Sequence, residues 1–379
     1  MRHLVRSAVG LVAVCLAVGG LAASQPVHAS DPMHEHEHEM GNFELFLSLQ
    51  GLSYDGPNPK PERQEDSWGA ADIVFSANRG RWRMMGEYNL GPIEKDLERF
   101  QVGFEPVPDT LFWLGRFHQP GSAWNNEVHH GHYLQTTITR PSIEFWEDEK
   151  GLIPQHLVGA LLESRRPLGS VAGVQVSLGL GFGSVLQDEG LVTVGLLNRD
   201  RGGHQLSETA RLSFLPQYLG SSSIGLLIGH HRMPVIDRAL SVSLDARWVE
   251  QSNFGAYFDL DRKAWRALGA VYYLDVGLQP AELPGTTAER REHVAAGYVQ
   301  LERQFSHHFT AFARHENSAN ALASRYVAIH ADDFVARGNI LGMRWDFARR
   351  QALTVQLSRL ATLRGRQSVA RIQWSGVVP

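Results

Sequence analysis

Three imidazoles alternate with carboxylates near the start of the chain, in Met33-His34-Glu35-His36-Glu37-His38-Glu39-Met40. In extended backbone His34, His36 and His38 project to one side and the glutamates to the other. Unprotonated imidazoles grouped this way capture Cu2+, Zn2+ or Ni2+ near neutral pH; the bland alternative is a solvated spacer. A second group, His129, His130 and His132, follows Glu127. These ligand types suit the same metals, but the spacing matches no closed site, and loop histidines also serve as ordinary hydrogen-bonding groups. Hydrolytic chemistry has thinner support. His230-His231 and His315-Glu316-Asn317-Ser318 supply the residue types of nucleophilic catalysis, but in no triad order. The expectation is therefore no enzyme and no required cofactor, with a divalent transition metal at the histidine-rich tail as the one candidate.

The segment between His118 and His156 holds more than histidines. It contains Trp124, Asn125, Arg140 and the run Glu144-Phe145-Trp146-Glu147-Asp148-Glu149. A connector this long inside an ordered protein is functional or disordered, and its aromatics argue for order. The physical expectation is a loop folded inward as a constriction, with an external lid as the alternative. Acidic Glu127, Glu147 and Asp148 would face basic wall residues and set a transverse field that sorts solutes.

The elements that position these groups read as strands. Leu353, Val355 and Leu357 alternate with Thr354, Gln356 and Ser358, a period of two with one apolar face. Asn78-Arg79-Gly80 and Pro106-Val107-Pro108-Asp109 mark tight reversals, as do Ser306-His307-His308 and Arg349-Arg350-Gln351. Long polar connectors lie between them, at roughly 55–68, 119–155, 185–203, 279–292 and 317–336. Short turns on one side and long loops on the other belong to an all-β, transmembrane antiparallel β-barrel. Counting gives ten strands by Gln251 and six more from Arg266, about 16 within a range of 14–18. Phe254 to Asp261 is read as a connector or strand extension. Tyr88, Trp113, Trp248, Trp345 and Trp374 fall near strand ends, where interfacial aromatics belong. Alternation points Arg81, Arg83, Arg116, Arg247, Arg344 and Arg371 inward, with Asp245, Glu302 and Asp346, a mixed-sign lining that predicts weak selectivity.

Composition agrees. Residues 1–29 read as a secretory signal: Arg2 and Arg6, an apolar centre from Val9 to Leu21, and small residues at Val27-His28-Ala29. Residues 30–41 form a periplasmic tail and 42–379 the barrel. Cleavage near Ala29 removes the only cysteine, Cys15, and with it any disulfide or thiolate site. Removing the two leader arginines takes the formal charge from −4 to −6, which excludes a nucleic-acid partner. A mean hydropathy of −0.22 fits a water-filled barrel, where every second strand residue meets lipid.

The leader, the alternating strands, the loop asymmetry and the strand exit Leu114-Gly115-Arg116-Phe117-His118-Gln119-Pro120 together resemble a Gram-negative porin. They are similar in style to the superfamily that includes anion-selective porins. The resemblance covers nearly the whole mature chain and rests on architecture, with no diagnostic motif. It implies a sixteen-stranded outer-membrane barrel, often a homotrimer, with a loop in the lumen. Its implied partners are outer-membrane lipids, the barrel assembly machinery and small hydrophilic solutes. Barrels of this group usually end on an aromatic residue; this chain ends Val377-Val378-Pro379, with Trp374 the nearest aromatic. The expected function is passive diffusion of small hydrophilic solutes or ions. The alternatives are a Cu/Zn/Ni transport or resistance component, a barrel scaffold for an electron-transfer partner, or a soluble secreted β-protein.

Overall fold

The structure, a computed structural model, describes residues 40–57, 67–91, 95–128, 132–146, 151–187, 190–192, 195–196, 203–280 and 290–378. Its first half contains β1 (Met40–Asp55), β2 (Ser67–Arg79), β3 (Trp82–Leu90), β4 (Lys95–Val107), β5 (Thr110–His118), β6 (His156–Leu168), β7 (Ala172–Phe182) and a small pair, β8 (Val185–Gln187) and β9 (Gly190–Val192). Next come β10 (Leu206–Leu215), β11 (Ser223–Pro234), helix α1 (Arg238–Leu244), β12 (Trp248–Arg262) and β13 (Trp265–Gln279). The chain finishes with β14 (Arg290–Ser306), β15 (Phe309–Ala319), α2 (Arg325–His330), β16 (Arg337–Ala348), β17 (Gln351–Thr362) and β18 (Gly365–Val378). All but β8 and β9 form one closed antiparallel barrel of sixteen strands. Closure comes from β1 against β18, with Leu45 opposite Val378 and Asp55 opposite Ser368. Closure leaves no barrel strand with an unpaired edge.

The alternation seen in sequence is the alternation of two solvents. On β17, Val355 and Leu357 are exposed on the outer face, whereas Thr354, Gln356 and Ser358 are buried inside the ring. On β11, Ile224, Leu226 and Ile228 face out in the same way. Such an outer band is a lipid-facing surface, with the polar residues turned to the lumen. Among the described residues no helix is long and apolar enough to cross a membrane. The crossings are strands.

The tight reversals expected from the sequence lie together at one end, and one further two-residue turn, between Thr362 and Gly365, joins β17 to β18 at the other. Gly80 (φ 55°), Asp109 (φ 59°), Lys263 (φ 58°) and Arg350 (φ 62°) supply the left-handed residue in four turns of the first end. Glycine and aspartate adopt this conformation readily; Lys263 and Arg350 do so at some steric cost. Exposed Trp82, Trp265, Phe305, Phe309 and Trp345 ring the same end. Phe309 stacks on Trp345, and Arg303 lies 5.0 Å from the Trp265 ring. Aromatic rings with basic partners at this level are what a membrane interface favours.

The strand count agrees with the sequence reading, and the tenth strand is displaced. Phe254–Asp261 belongs to β12, which starts only at Trp248. The stretch before it is α1, capped by the Asp237 side chain, which accepts from the Leu240 N–H. The barrel also begins at Met40 rather than at residue 42.

Candidate pore and its constriction loop

After His118 the chain turns into the barrel. Trp124–Val128 form one π-helical turn and Ser142–Glu144 one 3-10 turn, before the chain returns to β6. Residues 132–141 make no ladder of their own, so their backbone groups need partners elsewhere. The lumenal wall supplies them. Arg344 Nη1 on β16 donates to the carbonyls of Tyr133 (2.5 Å) and Gln135 (2.7 Å). Gln356 Oε1 on β17 accepts from the N–H groups of Ile138 (2.9 Å) and Thr139 (3.3 Å). Arg314 on β15 donates to the carbonyls of Thr139 (2.7 Å) and Arg140 (3.0 Å), and Glu316 accepts from the Ser142 N–H (2.8 Å). Thr136 Oγ1 donates to Glu302 on β14 at 2.9 Å. One side of the loop is thus bonded to a continuous wall running from β14 to β17.

The apolar side chains of the loop pack beside these bonds. Trp124 meets Tyr298 edge-on at 6.2 Å, and Trp146 meets Tyr272 the same way at 6.2 Å. Ile143, Leu152 and Ile153 complete a buried cluster with Tyr272, Leu274, Val276 and Leu278 on the inner face of β13. That strand carries Val271 and Tyr273 exposed on its outer face as well. An apolar inner face is stable only because the loop keeps water from it. Glu144 lies at the centre of this contact, fully buried, accepting from Ser122 Oγ (2.8 Å), Asn125 Nδ2 (2.6 Å) and Tyr272 OH (3.1 Å). Burial pushes its carboxyl up to about 7, against the opposing pull of the Ser122 and Tyr272 hydrogen bonds.

Opposite the docked side remains a cavity of about 290 Å³ between the loop and the wall built by β3 to β12. Asn125 and Asn126 form its loop side, and Arg99, Arg165, Arg211, Gln101, Gln175 and Glu163 are among its wall residues. Arg99 is paired with Glu87 at 2.7 Å, whereas Arg165 donates to the Tyr218 carbonyl and Arg211 to Ser177 Oγ at 3.2 Å. The lining is polar and carries more guanidinium than carboxylate. Such a lining presents hydrogen-bond donors and positive charge to the cavity.

Six of the nine wall residues expected from alternation lie on barrel strands. Arg83 pairs with Glu105 at 2.5 Å, Arg116 with Asp96 at 2.5 Å, and Arg344 with Asp346 at 2.8 Å. Glu302 binds the loop, and Arg371 lines a smaller cavity with Thr139, Arg140 and Arg314. The other three are corrected by the structure. Arg81 occupies the β2–β3 turn, Asp245 caps α1 in the left-handed conformation (φ 53°), and Arg247 is exposed just before β12. Residues 238–244 wind into a helix because the Asp237 cap is available, so the alternation read there had no strand to act on.

In the loop, Trp124, Asn125 and Arg140 lie where described above. Glu147, Asp148, His129 and His130 fall outside the described residues, as do the Glu127 side chain and the tail histidines His34, His36 and His38. His132 is half-buried, close enough to Asp72 to interact electrostatically. The one described acid of the acidic run, Glu144, latches the loop to the wall instead of lining the cavity. Trp113 is another correction: its indole N–H donates to Glu163 at 3.0 Å inside the ring, while Phe112 and Leu114 face lipid. The sequence reading missed Arg314, Glu316 and Gln356 as loop holders, and Arg99, Arg165 and Arg211 as cavity residues. β13 carried a legible signal: Ala270-Val271-Tyr272-Tyr273-Leu274 is apolar on both faces, the pattern of a strand covered twice.

No family model matches this sequence, and no curated protein matches it. Solved structures do. The anion-selective porin from Comamonas acidovorans superposes with a TM-score of 0.57 at 8% identity, over 90% of this chain and 100% of that one. Salmonella typhi OmpF, in a complex with daunomycin, gives 0.51 at 11% identity, over 89% and 97%. The trimer form of in-vitro folded OmpT, an outer membrane protein of Vibrio cholerae, gives 0.51 at 11% identity, over 89% and 99%. The fold is that of outer-membrane porins.

Proposed function

We propose that this chain is an outer-membrane channel through which small hydrophilic solutes and ions diffuse passively, with a modest preference for anions. The observation that carries this reading is the polar, arginine-rich cavity left between the docked loop and the β3–β12 wall. The reading is of a conduit without catalysis. Export follows cleavage of the leader near Ala29, and assembly as a homotrimer accords with the trimeric form among similar structures. Reconstitution in planar bilayers should give stepwise conductance and, in a salt gradient, a reversal potential displaced towards the anion. Arg165→Glu with Arg211→Glu should move that potential towards the cation. A barrel with heat-modifiable gel mobility and no conductance would overturn the proposal.

A second reading adds metal handling at His34, His36 and His38. It is favoured by the placement of Met40 at the short-turn end, which is periplasmic in barrels of this kind. The tail would then gather Cu2+, Zn2+ or Ni2+ at the pore mouth, for passage, resistance or a neighbouring electron-transfer partner. Replacing the three histidines by asparagine should leave conductance intact and lower metal tolerance of the cell. Unchanged tolerance would remove this reading.

A further inference from the structure

We propose that Glu98, His118 and His156 form a binding site for a divalent transition metal, of which Zn2+ is the representative, at the base of the constriction loop. The site goes beyond the channel reading and does not depend on it. His118 is the last residue of β5 and His156 the first of β6, and the two are direct partners across the ladder. The loop of residues 119–155 therefore leaves the wall from one of these histidines and returns to it at the other. Glu98 comes from β4 at a register shift, where Glu87 faces Arg99 and Tyr88 faces Leu97. The extra residue of a bulge re-aims a side chain, here towards the two imidazoles.

The geometry suits a metal. His156 Nε2 lies 2.9 Å from Glu98 Oε2 and His118 Nε2 lies 3.9 Å from the same oxygen. One ligand atom from each of the three residues lies within 4.8 Å of the others. Ligands about 2.0–2.2 Å from a tetrahedral Zn2+ stand roughly 3.3–3.6 Å apart, so small side-chain adjustments suffice. All three side chains are at least nine-tenths buried, which keeps them ordered, while His118 also borders the lumenal cavity. Three protein ligands leave one position for water or a solute from that cavity.

Charge points the same way. Arg99 is balanced by Glu87, and Arg116 by Asp96. Asp72 lies within electrostatic reach of both Glu87 and Glu98, and Arg140 within reach of Glu87, so the four carboxylates around the site exceed its three guanidinium groups by one. A dication offsets that excess. Imidazole with carboxylate selects Zn2+, Ni2+ or Cu2+ over Ca2+ and Mg2+, which prefer all-oxygen sites. A metal here would fasten β4, β5 and β6 together at both roots of the loop.

The test uses the full chain folded in detergent, with His34, His36, His38, His129, His130 and His132 replaced by asparagine to silence other ligands. Titration with Co2+ should give the visible absorption of a low-coordinate site at one equivalent per chain, displaced by Zn2+. Adding H118N and H156N should abolish the bands and weaken Zn2+ binding at least tenfold, and E98Q should weaken it measurably. Retention of the bands in H118N/H156N, or no saturable binding in the six-histidine variant, would overturn the proposal. Should the double variant misfold, crystals of the unaltered chain soaked in Zn2+ decide the matter by anomalous scattering. A peak between the three side chains supports the site and its absence there overturns it. Conductance of the metal-free chain tests the channel reading separately.

Discussion

Arg314 shows how much one side chain is asked to do. It is fully buried, paired with Glu316 at 2.9 Å, and it donates to two loop carbonyls and to Thr139 Oγ1. Arg314→Ala should lower stability by about 3–5 kcal/mol, because Glu316 is left buried without its cation. The readout is the temperature at which gel mobility changes, and the variant should also show larger and noisier conductance as the loop detaches. Glu144 gives a prediction in pH. Its carboxyl sits at about 7 in the fold, raised by burial, against an ordinary value of 4.5. A raised acid stabilises the docked loop fully below the unfolded value, and that contribution falls as pH rises from about 4.5 through about 7. The loss amounts to about 3 kcal/mol. Open-channel noise should therefore grow across this window and level off above it. Glu144→Gln should remove the dependence; an unchanged profile in that variant would place the titration elsewhere.

At the scale of the element, the strand faces are the testable object. Cys15 is the one cysteine of the sequence, so in a Cys15→Ser chain single cysteine substitutions report exposure without background. Gln101→Cys should react with a water-soluble thiol reagent in the folded barrel, and Leu357→Cys in lipid should not. Leu357→Arg should cost about 2–4 kcal/mol if that position lies near the bilayer midplane. These strands were legible beforehand because one face of each meets lipid and the other water, which writes a period of two into Leu353–Ser358. Legibility failed where that contrast fails. Residues 238–244 alternate in polarity by accident, and an N-terminal cap made them a helix. Trp113 satisfies a lumenal Glu163 with its N–H, a choice that an aromatic allows and a sequence does not display. The loop holders Arg314, Glu316 and Gln356 were invisible for a different reason: they are ordinary lumenal residues until a segment about 175 to 220 positions away is laid against them.

For the whole molecule, the docked loop makes the lumen one-sided. The β14–β17 wall is occupied, and the cavity that remains follows the β3–β12 wall. Replacing residues 133–146 by a short flexible linker should raise unit conductance several-fold and weaken the anion preference, since solutes would no longer be pressed against Arg165 and Arg211. Equal conductance with and without the loop would mean that the narrowest point lies elsewhere.

β13 holds a last implication, for assembly. With Tyr272, Leu274 and Val276 inside and Val271 and Tyr273 outside, the middle of this strand cannot distinguish oil from water by its own residues. A slip of one position against β12 or β14 would meet little resistance from the membrane. The information that fixes it arrives from more than a hundred residues upstream, when Glu144 finds the Tyr272 hydroxyl. The plug of this barrel therefore also acts as the gauge that tells one of its staves which way to face.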